Sequence, residues 1–244
     1  MTELDRMFSE KPEEWNGLLV YPVLTRDYHL FLTAKDAITA AQQGWPYPWS
    51  AMKYLEGLVG MGLLPRLALM LKLTLRLQGE ALPIYPKTDG ETLKWLRVIQ
   101  GDRTGDITPR NFGELRELIA WQNGLELPNE TENAELVEAQ KDLSEKDGVA
   151  LKVDLESLVY AVALRAGTSP KAILGWTVRR FQQTEKALDR SAGHLMASIT
   201  LAAGGKFKGG NPYPSWKYDR EEQTIAVEPL SALSGRLSGS VEQK

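Results

Sequence analysis

The sequence has no cysteine and only two histidines among its 244 residues. Without cysteine the chain can form neither a disulfide nor a thiolate metal site, and its composition suits a reducing compartment. His29 and His194 each lack a second histidine or a carboxylate three or four residues away, where two side chains would share a helical face. Metal and general-base sites need such clusters. We therefore expect no metal site, no cofactor and no catalytic residue, and we expect that the chain is not an enzyme.

The sequence also lacks an uninterrupted apolar run long enough to cross a membrane. Its most apolar stretch, residues 58–77, contains Pro65, Arg66, Lys72 and Arg76. A charged side chain at the centre of a bilayer costs about 2.5–3.5 kcal/mol on insertion scales. We expect this stretch to be a buried core segment, and we expect no membrane partner. Residues 1–15 are polar and acidic, without the apolar core of a secretion signal.

A phosphate-binding loop and a basic excess are missing as well. Residues 204–210 are rich in glycine, but they lack the GxxxxGK[ST] pattern and follow a predicted helix rather than a strand. The net charge is −3, whereas nucleic-acid-binding domains are usually basic. These features argue against a nucleotide or a nucleic acid as the main ligand. Four aromatic residues near the basic loop leave stacking on single-stranded bases open as a minor alternative.

What the sequence does contain is a series of helix patterns. The sequence pattern predicts helices within residues 25–43, 50–59, 67–77, 110–123, 155–166 and 176–202. Within 67–77 leucine at every second position also suits a strand, but the residue types are helix formers, which favours the helix. Gly124 is expected to end the fourth helix and Asp154 to cap the fifth. Residues 82–108 differ, because short apolar or β-branched runs alternate there with the turn signals Asp89-Gly90 and Gly101-Asp102. We predict a mainly α fold with a small β-hairpin or sheet insert around residues 82–108.

One acidic segment divides the chain. Residues 129–148 carry many acidic side chains and few large apolar ones, so we place the domain boundary there. The predicted organisation is an N-terminal α+β domain at 1–128, an acidic linker helix at 129–148 and a C-terminal helical domain with an aromatic arm at 149–220. Residues 221–244 are rich in Ser and Gly and are expected to form a flexible tail.

The strongest helical pattern lies within residues 178–202. Eight positions follow one another at alternating spacings of three and four, which places them on one stripe of a helix. The stripe consists of Val178, Phe181, Glu185, Leu188, Ala192, Leu195, Ile199 and Ala202. Such a narrow stripe suits a coiled-coil seam, and hence a homo-oligomer, but it also suits packing on the helix at 155–166.

After Gly204-Gly205 the chain becomes an arm with aromatic and basic residues. Pro212 and Pro214 hold its backbone extended, so that less entropy is lost when it docks. Tyr and Trp are frequent anchors of protein interfaces. Two interpretations stay open: the arm binds a partner, or it folds back over its own core. The candidate partner-binding residues are Phe181, Leu188, Leu195, Phe207, Tyr213, Trp216 and Tyr218.

Four segments of the chain resemble a tail-morphogenesis protein family of tailed phages and prophages of Gram-positive bacteria. They are GLLVYPVLTRDYHLFL (17–32), SAMKYLEGL (50–58), ITPRNFGELRELIAWQNGLELP (107–128) and residues 175–220. The resemblance covers most of the chain outside the acidic segment and the C-terminal tail, and it carries no catalytic motif. It implies a virion-morphogenesis protein in the cytoplasm of the bacterial host or in the virion.

By analogy with other helical, acidic products of that gene region, the resemblance implies a tail assembly chaperone. Such proteins coat the long apolar helices of the tape measure protein before the tail tube polymerises. A structural virion component, such as a connector or a baseplate part, is the alternative. A nucleic-acid-binding phage protein is a third reading.

Overall fold

The computed structural model describes residues 10–79, 82–89, 92–128, 154–207 and 210–218. The chain forms two compact units, Met1–Glu185 and Lys186–Lys244. The described residues contain eight α-helices and two small antiparallel sheets. The prediction of a helical chain with a small sheet insert is thus confirmed. The prediction of a mainly α fold is confirmed only in part, because a second small sheet accompanies the predicted one and the fold is a mixture of helices and strands.

The elements are numbered in chain order. The strands are β1 (Glu13–Trp15), β2 (Leu18–Val20), β3 (Ile84–Asp89), β4 (Thr92–Gln100) and β5 (Arg103–Ile107). The helices are α1 (Tyr28–Ala34), α2 (Asp36–Thr39), α3 (Tyr54–Gly60), α4 (Leu64–Thr74), α5 (Phe112–Asn123), α6 (Leu155–Ala166), α7 (Pro170–Ile173) and α8 (Val178–Ala202). Short 3-10 helices lie at Thr25–Asp27, Gln42–Gly44 and Trp49–Ala51.

The predicted insert is a three-stranded antiparallel meander in the order β3-β4-β5. Ile84 is paired with Val98 on one side of β4, and Leu96 is paired with Ile107 on the other. The β4–β5 turn contains Gly101 at a φ of +62°, a conformation that glycine adopts without strain. The turn therefore lies where the Gly-Asp signal predicted it.

Side chains of β4 alternate between the core and the solvent, as the period of a strand requires. Leu96 and Val98 are fully buried, whereas Arg97 is exposed. The guanidinium of Arg97 donates two hydrogen bonds of 2.8 Å to the carboxylate of Asp106 on β5. Hydrogen bonding from Arg97 lowers the pKa of Asp106. This ion pair lies on the outer face of the sheet and links two strands across the surface.

The core of the N-terminal unit packs helices against the inner face of this sheet. α4 covers much of the apolar stretch that was predicted to be a core segment, and its Leu67, Met70 and Leu71 are fully buried. Other fully buried large side chains include Phe31, Ile38, Leu55, Leu58, Leu96 and Phe112. Among the helices in the described ranges, none is long and apolar enough to span a membrane.

A buried cation joins three helices of this core. Arg116 on α5 donates from Nε to the carbonyl of Ile38 at 2.6 Å and from Nη2 to that of Ala40 at 3.3 Å. Its guanidinium lies 3.8 Å from the ring centroid of Tyr54 on α3, which in turn stacks on Phe112 at 5.9 Å. The carbonyl groups at the end of α2 are therefore satisfied by a side chain from α5.

The segment before the long helix belongs to the N-terminal unit. Leu24 and Thr177 form an antiparallel bridge, and the Thr25 N–H donates to the Trp176 carbonyl at 2.8 Å. Thr25 is therefore buried against this segment and caps no helix. The predicted boundary at 129–148 and the predicted tail at 221–244 lie outside the described residues and stay predictions.

The first turn of α8 is also part of the N-terminal core. Phe181 is only 1% exposed, and its ring meets Tyr28 edge-on with centroids 5.8 Å apart. Val178 is fully buried and belongs to the same core cluster as Phe31. Phe181, one of the predicted partner-binding residues, is thus a core residue whose side chain does not reach the surface.

Two predicted helix termini are confirmed. Gly124 follows α5 in the left-handed conformation, with φ of 65°, and its N–H bonds back to Ala120 and Trp121. The carboxylate of Asp154 accepts hydrogen bonds from the backbone N–H groups of Glu156 and Ser157 at the start of α6. These bonds satisfy two of the N–H groups that a helix leaves open at its start.

The Asp154 cap predicts a pH-dependent contribution to stability. Hydrogen bonds from the backbone and side chain of Ser157, and then from Glu156, lower the pKa of Asp154 below its ordinary 3.8. The cap therefore stabilises the fold fully above that ordinary value, and the stabilisation is lost as the pH falls through the lowered value. Asp154→Ala should lower the thermal midpoint at neutral pH, and the difference from wild type should narrow in acid. A pH-independent difference would contradict this assignment.

Candidate partner-binding surface

The C-terminal unit presents an apolar ridge along α8. Leu188, Ala192, Leu195, Ile199 and Ala202 lie within about 80° of one another around the helix axis, at 100° per residue. Leu195 is 60% exposed and Ile199 55%, while Leu188 is half-buried. The predicted stripe therefore has two environments: its first turn is in the core of the N-terminal unit, and the part after Glu185 faces solvent.

The second half of α8 contains no charged residue. Between Arg190 and Lys206 the sequence contains no Asp, Glu, Lys or Arg. Met196 lies beside the ridge and is 63% exposed, and Leu201 is exposed on another side of the helix. Seven of the sixteen large apolar side chains that are exposed in the described residues lie between positions 195 and 218. Exposed apolar side chains are thus concentrated in this unit, as they are at protein-binding surfaces.

A glycine pair ends the helix and starts the arm. Gly204 has a φ of +83°, and the Gly205 N–H bonds to the carbonyl of Thr200 at 2.9 Å. A Cβ added to Gly205 would come within 2.6 Å of the Thr200 side chain. Only glycine fits this close reversal after a helix, so the predicted break at Gly204-Gly205 is confirmed.

The arm folds back on its own helix. The ring of Tyr213 lies directly on Gly193, where an added Cβ would be 2.8 Å from three ring atoms. Nδ1 of His194 is 2.9 Å from the Tyr213 carbonyl. Because a carbonyl oxygen only accepts, Nδ1 carries the proton in this contact. Arg190 adds a bond of 2.6 Å from Nη1 to the carbonyl of Lys217. The arm therefore packs on α8 of the same chain, and its binding to a partner stays a prediction.

The arm and the ridge occupy opposite sides of α8. Gly193, which seats Tyr213, lies about 160° around the axis from Leu195 at 100° per residue. Ala197, a buried residue, lies on the same side as Gly193. These small residues let the arm approach the helix closely. The arm covers one side of the uncharged helix end and leaves the ridge open.

The groove between the arm and the helix is too small for a typical ligand. Its volume is about 220 Å³, below the roughly 300–1,000 Å³ of small-molecule sites. It is lined by Lys186, Asp189, Arg190, Pro212, Tyr213, Pro214, Ser215 and Tyr218. A cleft of about 490 Å³ in the N-terminal unit is lined in part by Tyr54, Phe112 and Arg116, whose mutual contacts hold the core. The ridge is thus the better candidate for binding.

The two histidines have different surroundings: the ring of His194 contacts the arm, whereas His29 is exposed on α1. Within the described ranges, no group of three or more His, Asp or Glu residues is placed to hold a metal ion. The expectation that the chain is not an enzyme stays a prediction.

The structure distributes the predicted partner-binding residues over three places. Phe181 is in the core, Leu188 and Leu195 are on the ridge, and Tyr213 is seated on Gly193. Phe207 is half-buried, whereas Trp216 and Tyr218 are exposed on the arm. Sequence reasoning missed Met196 and Leu201 as exposed apolar residues, although the missing charges between Arg190 and Lys206 would have indicated them.

Comparison with known proteins gives no match: no family model, no curated protein and no solved structure matches this chain.

The contact between Tyr213 and Gly193 predicts that replacing Gly193 by alanine loosens the structure, although the same change in a helix is usually stabilising. Gly→Ala within a helix normally stabilises by about 0.5–1 kcal/mol. Gly193→Ala should instead release the arm, because the new methyl group would meet the Tyr213 ring. We expect trypsin to cleave after Lys217 several-fold faster in this variant, as measured by mass spectrometry of timed digests.

Gly113 provides the matched control, since it also lies in a helix but has no atom near its added Cβ. Gly113→Ala should leave cleavage at Lys217 unchanged. Tyr213→Ala should reproduce the effect of Gly193→Ala. If Gly193→Ala raised the thermal midpoint and left cleavage unchanged, the arm would not depend on this seat.

Proposed function

We propose that this chain is a non-enzymatic assembly protein that binds an apolar helical protein partner along the ridge of α8. The observation that supports the proposal best is the exposure of Leu195 and Ile199 on a helix end without charges. A helix that is apolar on most of its surface is normally enclosed by other protein. Apolar anchors at spacings of three and four are also what a helix-in-groove contact uses.

The size of the ridge limits what one copy can do. Fully burying a Leu, Ile or Met side chain contributes about 1.5–3 kcal/mol, and Leu195, Met196 and Ile199 are already partly covered. Their burial therefore contributes a few kcal/mol, which offsets only part of the cost of association. A single ridge should bind weakly. A long helical partner that contacts several copies would gain avidity, and this favours a protein that coats its partner.

The resemblance to tail-morphogenesis proteins suggests which partner the ridge binds and in which process. In that setting the partner is a tail protein such as the tape measure protein, and the chain acts as a tail assembly chaperone in the cytoplasm of the bacterial host. The alternative is a structural component of the virion, such as a connector or a baseplate part. It is favoured by the same ridge, because an uncharged helix end is suited to permanent enclosure in an assembly.

Co-expression with the products of neighbouring genes tests the binding function. The wild-type chain should capture a long helical protein in a pull-down, whereas Leu195→Ser should reduce capture about tenfold or more because a buried apolar anchor is lost. Circular dichroism should be unchanged, since residue 195 faces solvent in the free protein. Capture at the wild-type level by Leu195→Ser would contradict the role of the ridge.

Leu164 supplies the control for this experiment. It is an 84% exposed leucine on α6 in the N-terminal unit, and Leu164→Ser removes as much apolar surface as Leu195→Ser. Capture should be retained in the Leu164 variant. Equal losses in both variants would indicate nonspecific adhesion of apolar surface.

The presence or absence of this chain in mature particles distinguishes a chaperone from a structural virion component. A chaperone leaves before the particle is complete, so mass spectrometry of purified particles should find no copy of this chain. A stoichiometric amount in mature particles would move the assignment from chaperone to virion component.

A further inference from the structure

The ridge has the same pattern when it is followed from either end. Ala192, Leu195, Ile199 and Ala202 follow one another at spacings of three, four and three. The two large side chains lie in the middle and a small one lies at each end. A two-fold axis perpendicular to the helix at position 197 therefore exchanges each residue with one of similar size. Self-complementarity of this kind is what a symmetric interface between two copies of one chain requires.

The residues beside the middle of the ridge can be buried at little cost. Met196 is an exposed apolar residue on one side. Ser198 lies on the other side, and its hydroxyl donates to the carbonyl of His194 at 2.8 Å. Because this hydroxyl is already satisfied within the helix, a second helix that covered it would leave no polar side chain unpaired.

Charge determines the direction in which two ridges pair. The charged residue on the same helical stripe as the ridge is Glu185, which precedes Leu188 by about one turn. Parallel pairing would bring the two Glu185 carboxylates to the same level of the contact, and like charges facing one another are unfavourable. Antiparallel pairing places them at opposite ends and also opposes the two helix dipoles. In the centred antiparallel pair, Leu195 of each copy faces Ile199 of the other, and the alanines face one another.

We propose that a second copy of the chain covers the ridge, in an antiparallel pair of α8 helices centred on position 197, until the helical partner replaces it. The inference rests on the proposed function, since it adds a self-masked state of the same binding surface. Masking keeps the exposed apolar side chains of the ridge from water and from nonspecific contacts while the partner is absent.

The pair is weak. Its large side chains are Leu195, Met196 and Ile199 of each copy, far fewer than the roughly 20–30 residues that each side of a standard interface contributes. We expect it to form above about 0.1 mM protein and to dissociate at low micromolar concentrations. A long partner that engages several copies gains avidity and therefore displaces it.

Single-cysteine variants of the full-length protein test the pair, because the chain itself contains no cysteine. A disulfide needs Cα atoms about 4.4–6.8 Å apart. Antiparallel pairing brings position 192 of one copy opposite position 202 of the other, whereas the two copies of position 192 lie about 15 Å apart along the axis at 1.5 Å per residue. Ala192→Cys and Ala202→Cys should therefore form a mixed dimer when they are oxidised together, and little dimer when they are oxidised separately.

An affinity tag on one variant makes the mixed dimer differ in mass from either homodimer on a gel. The control is a mixture of Ala192→Cys with Leu164→Cys, which is exposed on α6 and reports random collisions. At about 0.1 mM protein the Ala192→Cys and Ala202→Cys mixture should give about tenfold more mixed dimer than this control.

The outcomes distinguish the pair from the proposed function. Mixed dimer at the control level would overturn the pair and leave partner binding by the ridge in place. Homodimers of each variant without mixed dimer would show parallel pairing and overturn the antiparallel arrangement.

The purified mixed dimer then tests the masking. It should capture the helical partner about tenfold less well than the same protein after reduction, because the disulfide holds the second copy on the ridge. Equal capture by the oxidised and reduced forms would overturn the masking and, with it, the binding of the partner along the ridge.

Discussion

The C-terminal unit is organised by the need to keep apolar helix surface away from water. From residue 191 to 205 the chain has no charged side chain, so the apolar face of this part of α8 must be covered by other atoms or remain exposed at a cost. The arm covers the side that contains Gly193 and Ala197. The ridge around Leu195 remains open. One side of this part of α8 is thus covered and the other is open, and the proposed partner would bind the open side.

The docking of the arm depends on glycine at position 193, which has no side chain to block the Tyr213 ring. Glycine within a helix destabilises it by about 0.5–1 kcal/mol relative to alanine, and Gly193 lies near the middle of the exposed part of α8. The structure supplies the reason, because the Tyr213 ring occupies the space that a Cβ would need. His194 and Arg190 then fix the arm through its carbonyl groups. Since these contacts lie opposite the ridge, the arm can support α8 without blocking a partner.

Local features of the fold could be predicted from the sequence, and long-range ones could not. The turn at Gly101 and the helix termini at Gly124 and Asp154 depend on residues close in sequence. The predicted helix within residues 25–43 is instead a 3-10 turn followed by α1 and α2, and Thr25 bonds to a residue 151 positions away. Phe181 was wrongly assigned to the partner surface, because periodicity shows which residues share a face but not what packs against that face. Only the packing of Tyr28 on Phe181 reveals the core.

Site-specific photocrosslinking would test the central claim most directly. A photoreactive amino acid at position 199, on the ridge, should crosslink in co-expressing cells to one helical protein, and the same group at position 164 should not. Crosslinks restricted to the ridge position would establish that the open face of α8 is the binding surface. Equal crosslinking from both positions, or crosslinking from position 164 alone, would contradict the account.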